Sequence, residues 1–179
     1  KACHELVDIT VDGIRRGIPT NLERLRCDYI DIWMLHRDDP TKPVEVVVET
    51  ANEEIAAGRI RSYGGSNWST ARLQELNEYA DSRGLIGMIG SSEHLSLATP
   101  KAERWAGVRW IDDDDLAWRE SSGFPLFPWS AQAGGFFSGR FRPDDESDTE
   151  MVRIYYSDLN FGRLARAEEL AAERGASSI

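Results

Sequence analysis

The stretch Asp28-Tyr29-Ile30-Asp31-Ile32-Trp33-Met34-Leu35-His36 constrains the fold more than any other part of the chain. Its apolar residues form a short, nearly continuous run, the pattern of a strand buried on both faces of a parallel sheet. Arg37-Asp38-Asp39-Pro40 follow at once, so the strand stops there and His36 stands at its carboxyl edge. In α/β folds that edge is where ligands bind.

The rest of the chain alternates around this strand. Val44, Val47, Val48, Ala51 and Ile55 recur at helical spacing, with Pro43 suited to a first turn and Gly58 to a C-cap, which predicts a helix over 43–57. A second strand is expected at 60–66, weakened by Gly64 and Gly65. A helix capped by Ser69 follows, with Leu73, Leu76, Tyr79 and Ala80 on one face. A third strand is expected at 85–91 and a fourth at 124–130. Between them lie a long loop and a helix that opens on Asp112 to Asp115 and runs to about 122. Gly134, Gly135 and Gly139 mark a loop, residues 142–148 a solvated loop, and 158–173 a last amphipathic helix ended by Gly175. Ahead of the first strand, Leu22 to Leu25 read as the end of a helix, and Gly17 and Pro19 are expected to interrupt anything longer. Strands alternating with helices, with no hairpin signal, imply βαβ units and a parallel sheet. A doubly wound sheet and a (β/α)8 barrel both fit; no GxGxxG follows a strand, which weakens the first.

At 179 residues the chain is one domain, or part of one, spanning 1–179. Its 21 Lys+Arg against 31 Asp+Glu give a net charge of -10, which argues against nucleic acid or an anionic membrane as a general partner. No apolar run approaches the roughly 20 residues of a membrane span. Two cysteines without a CxxC fit a reducing cytoplasm. Asp112 to Asp115 resemble a cation site, yet acids in a first helical turn are favoured by the helix dipole, and no metal is assigned there or at Cys3-His4.

Parallel strands bring His36, Ser66 with Asn67, Ser92, and Trp129 with Ser130 out at one rim. Such a set suits a planar polar ring: an imidazole can donate to a carbonyl oxygen, Asn67 can satisfy both ends of a carboxamide, and Trp129 can stack.

Several segments taken in order carry a family resemblance. Arg24-Leu25 with Asp28-Tyr29-Ile30-Asp31, Leu35-His36-Arg37-Asp38-Asp39-Pro40, Gly58-Arg59-Ile60-Arg61 and Ser66-Asn67-Trp68 resemble the aldo-keto reductases. The segment from Phe127-Pro128-Trp129-Ser130 to Ser138-Gly139 resembles that family's seventh-strand region. The resemblance implies a (β/α)8 TIM barrel, here partial, lacking the first strands and the eighth. It also implies NADPH as cofactor and reduction of a small-molecule aldehyde or ketone. On it, His36 orients the substrate carbonyl and Lys1 is the lysine that lowers the pKa of a catalytic tyrosine. Ser66 and Asn67 hold the nicotinamide carboxamide, Trp129 stacks on the nicotinamide, and Ser130, Gln132 and Gly134 fall in the loop that wraps the phosphates.

The departures are equally specific. The family's tyrosine general acid and the aspartate beside its lysine belong to a segment before residue 1, so the chain alone is expected to lack turnover. Ser92 stands where the family has a glutamine contacting the carboxamide, and Gly134 lacks a basic side chain often found there. The alternative reading is therefore a catalytically inactive remnant, or a protein that binds the nicotinamide cofactor or serves a structural role.

Overall fold

The computed structural model describes residues 9–177. The chain folds as two compact units, one formed by residues up to Glu93 with Ile111–Phe127, the other by His94–Trp110 with the residues from Pro128 on.

In the first unit α1 (Val11–Leu25), β1 (Ile30–Leu35), α2 (Val44–Ala56), β2 (Ile60–Ser66), α3 (Thr70–Arg83), β3 (Ser91–Ser92) and α4 (Asp113–Ser122) follow in order. The strands form one parallel sheet, β1-β2-β3, with Ile30 opposite Ile60, Leu35 opposite Gly65 and Ser66 opposite Ser92. The valines spaced along α2 (Val44, Val47, Val48) join Ile14, Ile18, Trp33, Leu35, Tyr63, Leu73 and Leu76 in one core. Ser69 caps α3, accepting from the Arg72 amide at 3.3 Å. Asp112 caps α4 in a reciprocal box with Asp115, so the acidic run serves the helix start. Among the described residues no group of three or more His, Cys, Asp or Glu is placed to hold a metal ion, and no helix is long and apolar enough to cross a membrane.

Three expectations need correction here. The helix before β1 is continuous from Val11 through Gly17 and Pro19. Thr10 caps it, accepting from the Gly13 amide at 3.0 Å, and burial of Ile14 and Ile18 in the core outweighs the bond that proline deletes. Next, β1 is not buried on both faces: Trp33 and Leu35 are buried, whereas Ile32 is 39% exposed and Ile30 and Met34 only half-buried. Finally, the third strand shrinks to Ser91–Ser92. The segment before it runs alongside β2 through Ile89 N–H to the Tyr63 carbonyl at 3.0 Å, but side-chain amides take over much of its remaining pairing. Asn52 of α2 donates to the Ile86 carbonyl and accepts from the Ile86 amide, both at 2.9 Å. Asn77 of α3 does the same for Met88, at 3.3 and 2.8 Å.

The glycines expected to weaken β2 permit close approach instead. A Cβ on Gly64 would lie 2.5 Å from the Gly90 carbonyl oxygen, and one on Gly65 2.6 Å from the Trp68 ring.

The expected fourth strand makes only single-residue parallel bridges. Leu126 bridges Ser91 in the first unit, and Trp129 bridges His94 in the second; Pro125 and Pro128 have no N–H to extend either. The second unit also holds a 3-10 turn over Ala133–Ser138, α5 (Thr149–Tyr155) and α6 (Asp158–Glu173). Phe136, Phe137, Met151, Ile154, Tyr155 and Leu164 form its core. The buried Asn160 ties α6 down, accepting from Thr99 N–H at 2.9 Å and donating to the Thr99 and Tyr155 carbonyls at 2.9 and 2.7 Å.

Candidate active site

Where β1, β2 and β3 end, His36, Ser66, Asn67 and Ser92 form one linked group. His36 follows β1 and is half-buried. Ser66 ends β2, fully buried, and donates through Oγ to the Ser92 carbonyl at 2.6 Å. Asn67 adopts the left-handed region with φ +64°, which asparagine tolerates better than most residues. Its Nδ2 donates to the His36 carbonyl at 3.3 Å and to Ser66 Oγ at 3.1 Å. Those two bonds orient the amide, and they turn its N–H group inward instead of leaving both ends for a ligand.

Two ion pairs brace this rim. Arg72 of α3 pairs with Asp38 in the loop after His36, at 3.1 and 3.4 Å, and also donates to the Lys42 carbonyl at 2.9 Å. Burial raises the Asp38 carboxyl above the usual range, only partly offset by Arg72. Arg119 of α4 reaches β3: its Nη2 lies 3.0 Å from Glu93 Oε2 and 2.8 Å from Ser91 Oγ, and Ser91 Oγ donates to the same carboxylate oxygen at 2.8 Å. Both charges are buried, with side chains 7% and 1% exposed.

The remaining expected residues sit in the second unit. Trp129 is half-buried, its ring 5.1 Å from that of His94 and 6.5 Å from that of Trp105. Ser130 has φ +58° and Ala133 +51°, followed by Gly134 at +66° and Gly135 at +93°. Ser130 organises this left-handed loop: its carbonyl accepts from Ala133 N–H at 2.7 Å and its Oγ from Gly134 N–H at 3.2 Å. Burial raises the Tyr155 phenol, and the Ser130 side chain and Arg104 offset this in part. Gln132 is exposed, and its carbonyl accepts from Gly135 N–H at 3.0 Å. A Cβ on Gly134 would meet Arg104 Nη1 at 2.6 Å, so the guanidinium of Arg104 lies directly over this backbone. Arg140 Nη2 donates to the Gly134 carbonyl at 3.5 Å. Lys1 lies outside the described residues.

The Aldo/keto reductase family model matches residues 4–179. The chain belongs to the aldo/keto reductase family. An aldo-keto reductase of Fusarium vanettenii is 29% identical over 189 residues, covering 96% of this chain and 48% of the relative. A probable voltage-gated potassium channel subunit beta of Arabidopsis thaliana is 30% identical over 147 residues, covering 82% of this chain and 42% of that protein. The chain thus spans about half the length of the curated relatives it matches. A glycerol dehydrogenase of Gluconobacter oxydans has a similar structure, with a TM-score of 0.70 at 23% identity over 96% of this chain and 50% of the other. The fold is accordingly part of the aldo/keto reductase barrel, α/β with parallel strands.

Sequence reasoning passed over Glu93, His94, Arg104 and Arg119. Glu93 and Arg119 are 26 residues apart, and nothing local in either segment announces the pairing. Arg104 sits in the loop ahead of α4, where nothing in the neighbouring sequence sets it apart from other charged loop residues. An acid and a histidine directly after a strand end, at Glu93-His94, were the one available signal.

Proposed function

We propose that this chain supplies the cofactor-binding and carbonyl-orienting parts of an NADPH-dependent reductase of aldehydes or ketones. The observation that carries the reading is the hydrogen-bonded group of Ser66, Asn67, Ser92 and the His36 carbonyl at the carboxyl rim of the sheet. The fit to an anionic cofactor rests on Arg104. The chain is acidic overall, yet two guanidiniums flank the backbone of Gly134 and Gly135. Arg104 thereby places beside Gly134 a cation that residue 134 itself does not carry.

When bound, the cofactor supplies the hydride. Ser66, Asn67 and Ser92 hold the carboxamide, with Asn67 offering its oxygen because its Nδ2 is engaged with His36 and Ser66. Trp129 stacks on the nicotinamide ring. Ser130, Gln132 and Gly134 would lie in the loop that wraps the phosphates, and the Arg104 guanidinium beside Gly134 would offset their charge. His36 orients the substrate carbonyl by donating a hydrogen bond to its oxygen, and Lys1 lowers the pKa of the proton donor. In the family that donor is a tyrosine in a segment preceding the residues matched here. The half of the chemistry assigned to this chain is binding and orientation, in a reducing cytoplasm.

A second reading, cofactor binding without turnover, is favoured by Ser92. Its carbonyl takes the Ser66 hydroxyl, and its short side chain stands where the family has a glutamine.

Titration of the chain with NADPH, followed by nicotinamide fluorescence, tests binding; a parallel assay of aldehyde reduction tests turnover. Saturable binding that weakens about ten-fold in Arg104→Met and in Asn67→Ala is expected. No binding to the unmodified chain would overturn both readings. Binding with no turnover by a longer product of the same reading frame would favour the second.

A further inference from the structure

His94 takes no part in the chemistry above, yet it is among the most enclosed polar residues of the second unit, 3% exposed. It bridges Trp110 and Trp129 through the backbone, and its ring packs 5.1 Å from Trp129 and edge-on to Tyr155 at 6.1 Å. Burial weakens its imidazole as a base, and the Ser130 backbone partly offsets this, as a carbonyl facing a ring N–H does. Nε2 is buried without a protein partner, so the nitrogen turned to Ser130 is Nδ1. A proton there leaves the Nε2 lone pair as an acceptor.

Two further buried atoms lack protein partners: Trp129 Nε1 and Arg104 Nε, both N–H donors. His94, Trp129 and Arg104 all line one small pocket of about 10 Å³, together with Val108, Trp110 and Tyr155. That is close to the space of one water, and a buried water typically makes about three hydrogen bonds. Two donors and one acceptor match a water, which accepts from Trp129 and Arg104 and donates to His94. A halide could not donate to Nε2, and a metal ion would face two N–H groups.

We propose that a single buried water shared by His94, Trp129 and Arg104 makes His94 the positioning residue for Trp129 and Ser130. Nδ1 fastens the Ser130 carbonyl in its left-handed turn, and Nε2 fixes the indole plane through the water. The groups facing His94 are the Arg104 guanidinium, itself paired with Glu150 at 3.3 Å, and the Tyr155 phenol. A proton on Nε2 would present the water with a third donor and expel it. The effect on cofactor binding rests on the proposal that Trp129 stacks on the nicotinamide; the water itself does not.

Nuclear magnetic resonance of the ¹⁵N-labelled chain tests this, with Trp129→Phe assigning the indole signal. At pH 7 His94 is expected as the Nδ1–H tautomer, and the Trp129 indole N–H should show a cross-peak to a long-lived water. His94→Asn keeps a donor at the Nδ1 position and should lose the cross-peak. His94→Gln places an acceptor near Nε2 and should keep it; the other indole signals report that each variant is folded. NADPH affinity should fall about three- to ten-fold in His94→Asn, as for one lost hydrogen bond, and less in His94→Gln. An Nε2–H tautomer, an imidazolium at pH 7, or an unchanged Trp129 signal in His94→Asn would overturn the proposal. The expected spectra in a chain that binds no NADPH would instead sink the cofactor reading and leave the water standing.

Discussion

Replacing Arg119 with methionine isolates the energetics of the buried pair that joins α4 to β3. The substitution keeps an apolar stem of similar length but strands the Glu93 carboxylate, whose side chain is 1% exposed. The native state then has two courses. It can keep the buried carboxylate without its guanidinium counter-charge, which costs several kcal/mol, or it can bind a proton. A glutamate that titrates near ~4.3 when unfolded costs ~1.4 kcal/mol per pH unit to protonate, so ~3.7 kcal/mol at pH 7. The cheaper course sets the ceiling. Adding about 1 kcal/mol for the lost bond to Ser91 Oγ puts the expected destabilisation at ~4 to 5 kcal/mol. At pH 5 protonation costs only ~1 kcal/mol, and the loss should shrink to ~2. Urea unfolding of Arg119→Met at the two pH values measures both figures. The double variant Glu93→Met/Arg119→Met removes the stranded charge and should recover to within about 1 to 2 kcal/mol of the starting protein. A loss below about 1 kcal/mol at pH 7, or one that does not shrink on acidification, would refute the reasoning.

Other perturbations follow from the same structure. Gly65→Ala drives a methyl into the Trp68 ring at 2.6 Å; a loss of about 1 to 3 kcal/mol is expected in urea unfolding, with weaker NADPH binding because Asn67 moves with the turn. Pro19→Ala restores an N–H inside α1, so the unfolding midpoint should rise by the equivalent of about 1 to 2 kcal/mol; a fall would mean the proline is matched to its site. Burial and the nearby Arg104 hold the His94 imidazole below the ordinary histidine value of about 6.5, so the unfolded chain binds its proton more readily. That stabilisation is present above pH 6.5 and is lost as pH falls through the lower folded value. Unfolding free energy measured from pH 7 to 5 should therefore decline less in His94→Asn.

The parts legible in the sequence were those decided by neighbours along the chain. Ser69 and Asp112 cap their helices as one turn of chain dictates, and the 60–66 strand lies where its flanking glycine and asparagine put it. Local rules failed where tertiary contact decided. Pro19 ought to break a helix, but Ile14 and Ile18 are fully buried in the core. The short α5 went unnoticed behind a polar loop, although Asp148 caps it and Met151, Ile154 and Tyr155 bury one face. At the candidate site, the residue types at the strand ends were readable one by one. The buried Glu93–Arg119 pair, the guanidinium over Gly134 and the imidazole behind Trp129 arise from segments distant in sequence, and no periodicity encodes them.

The amide clasps of Asn52 and Asn77 carry a consequence for how the rim is aligned. A ladder between two strands can slide by two residues and regain an equivalent set of bonds. A side-chain amide on a helix has no such degeneracy: Asn52 matches one peptide, that of Ile86, and Asn77 one other, that of Met88. The two helices thus act as index pins, threading the 85–90 segment past β2 at a single setting. Ser92 meets Ser66 because of that setting, so the spacing of two asparagines on separate helices decides which backbone carbonyl takes the Ser66 hydroxyl at the sheet's carboxyl end.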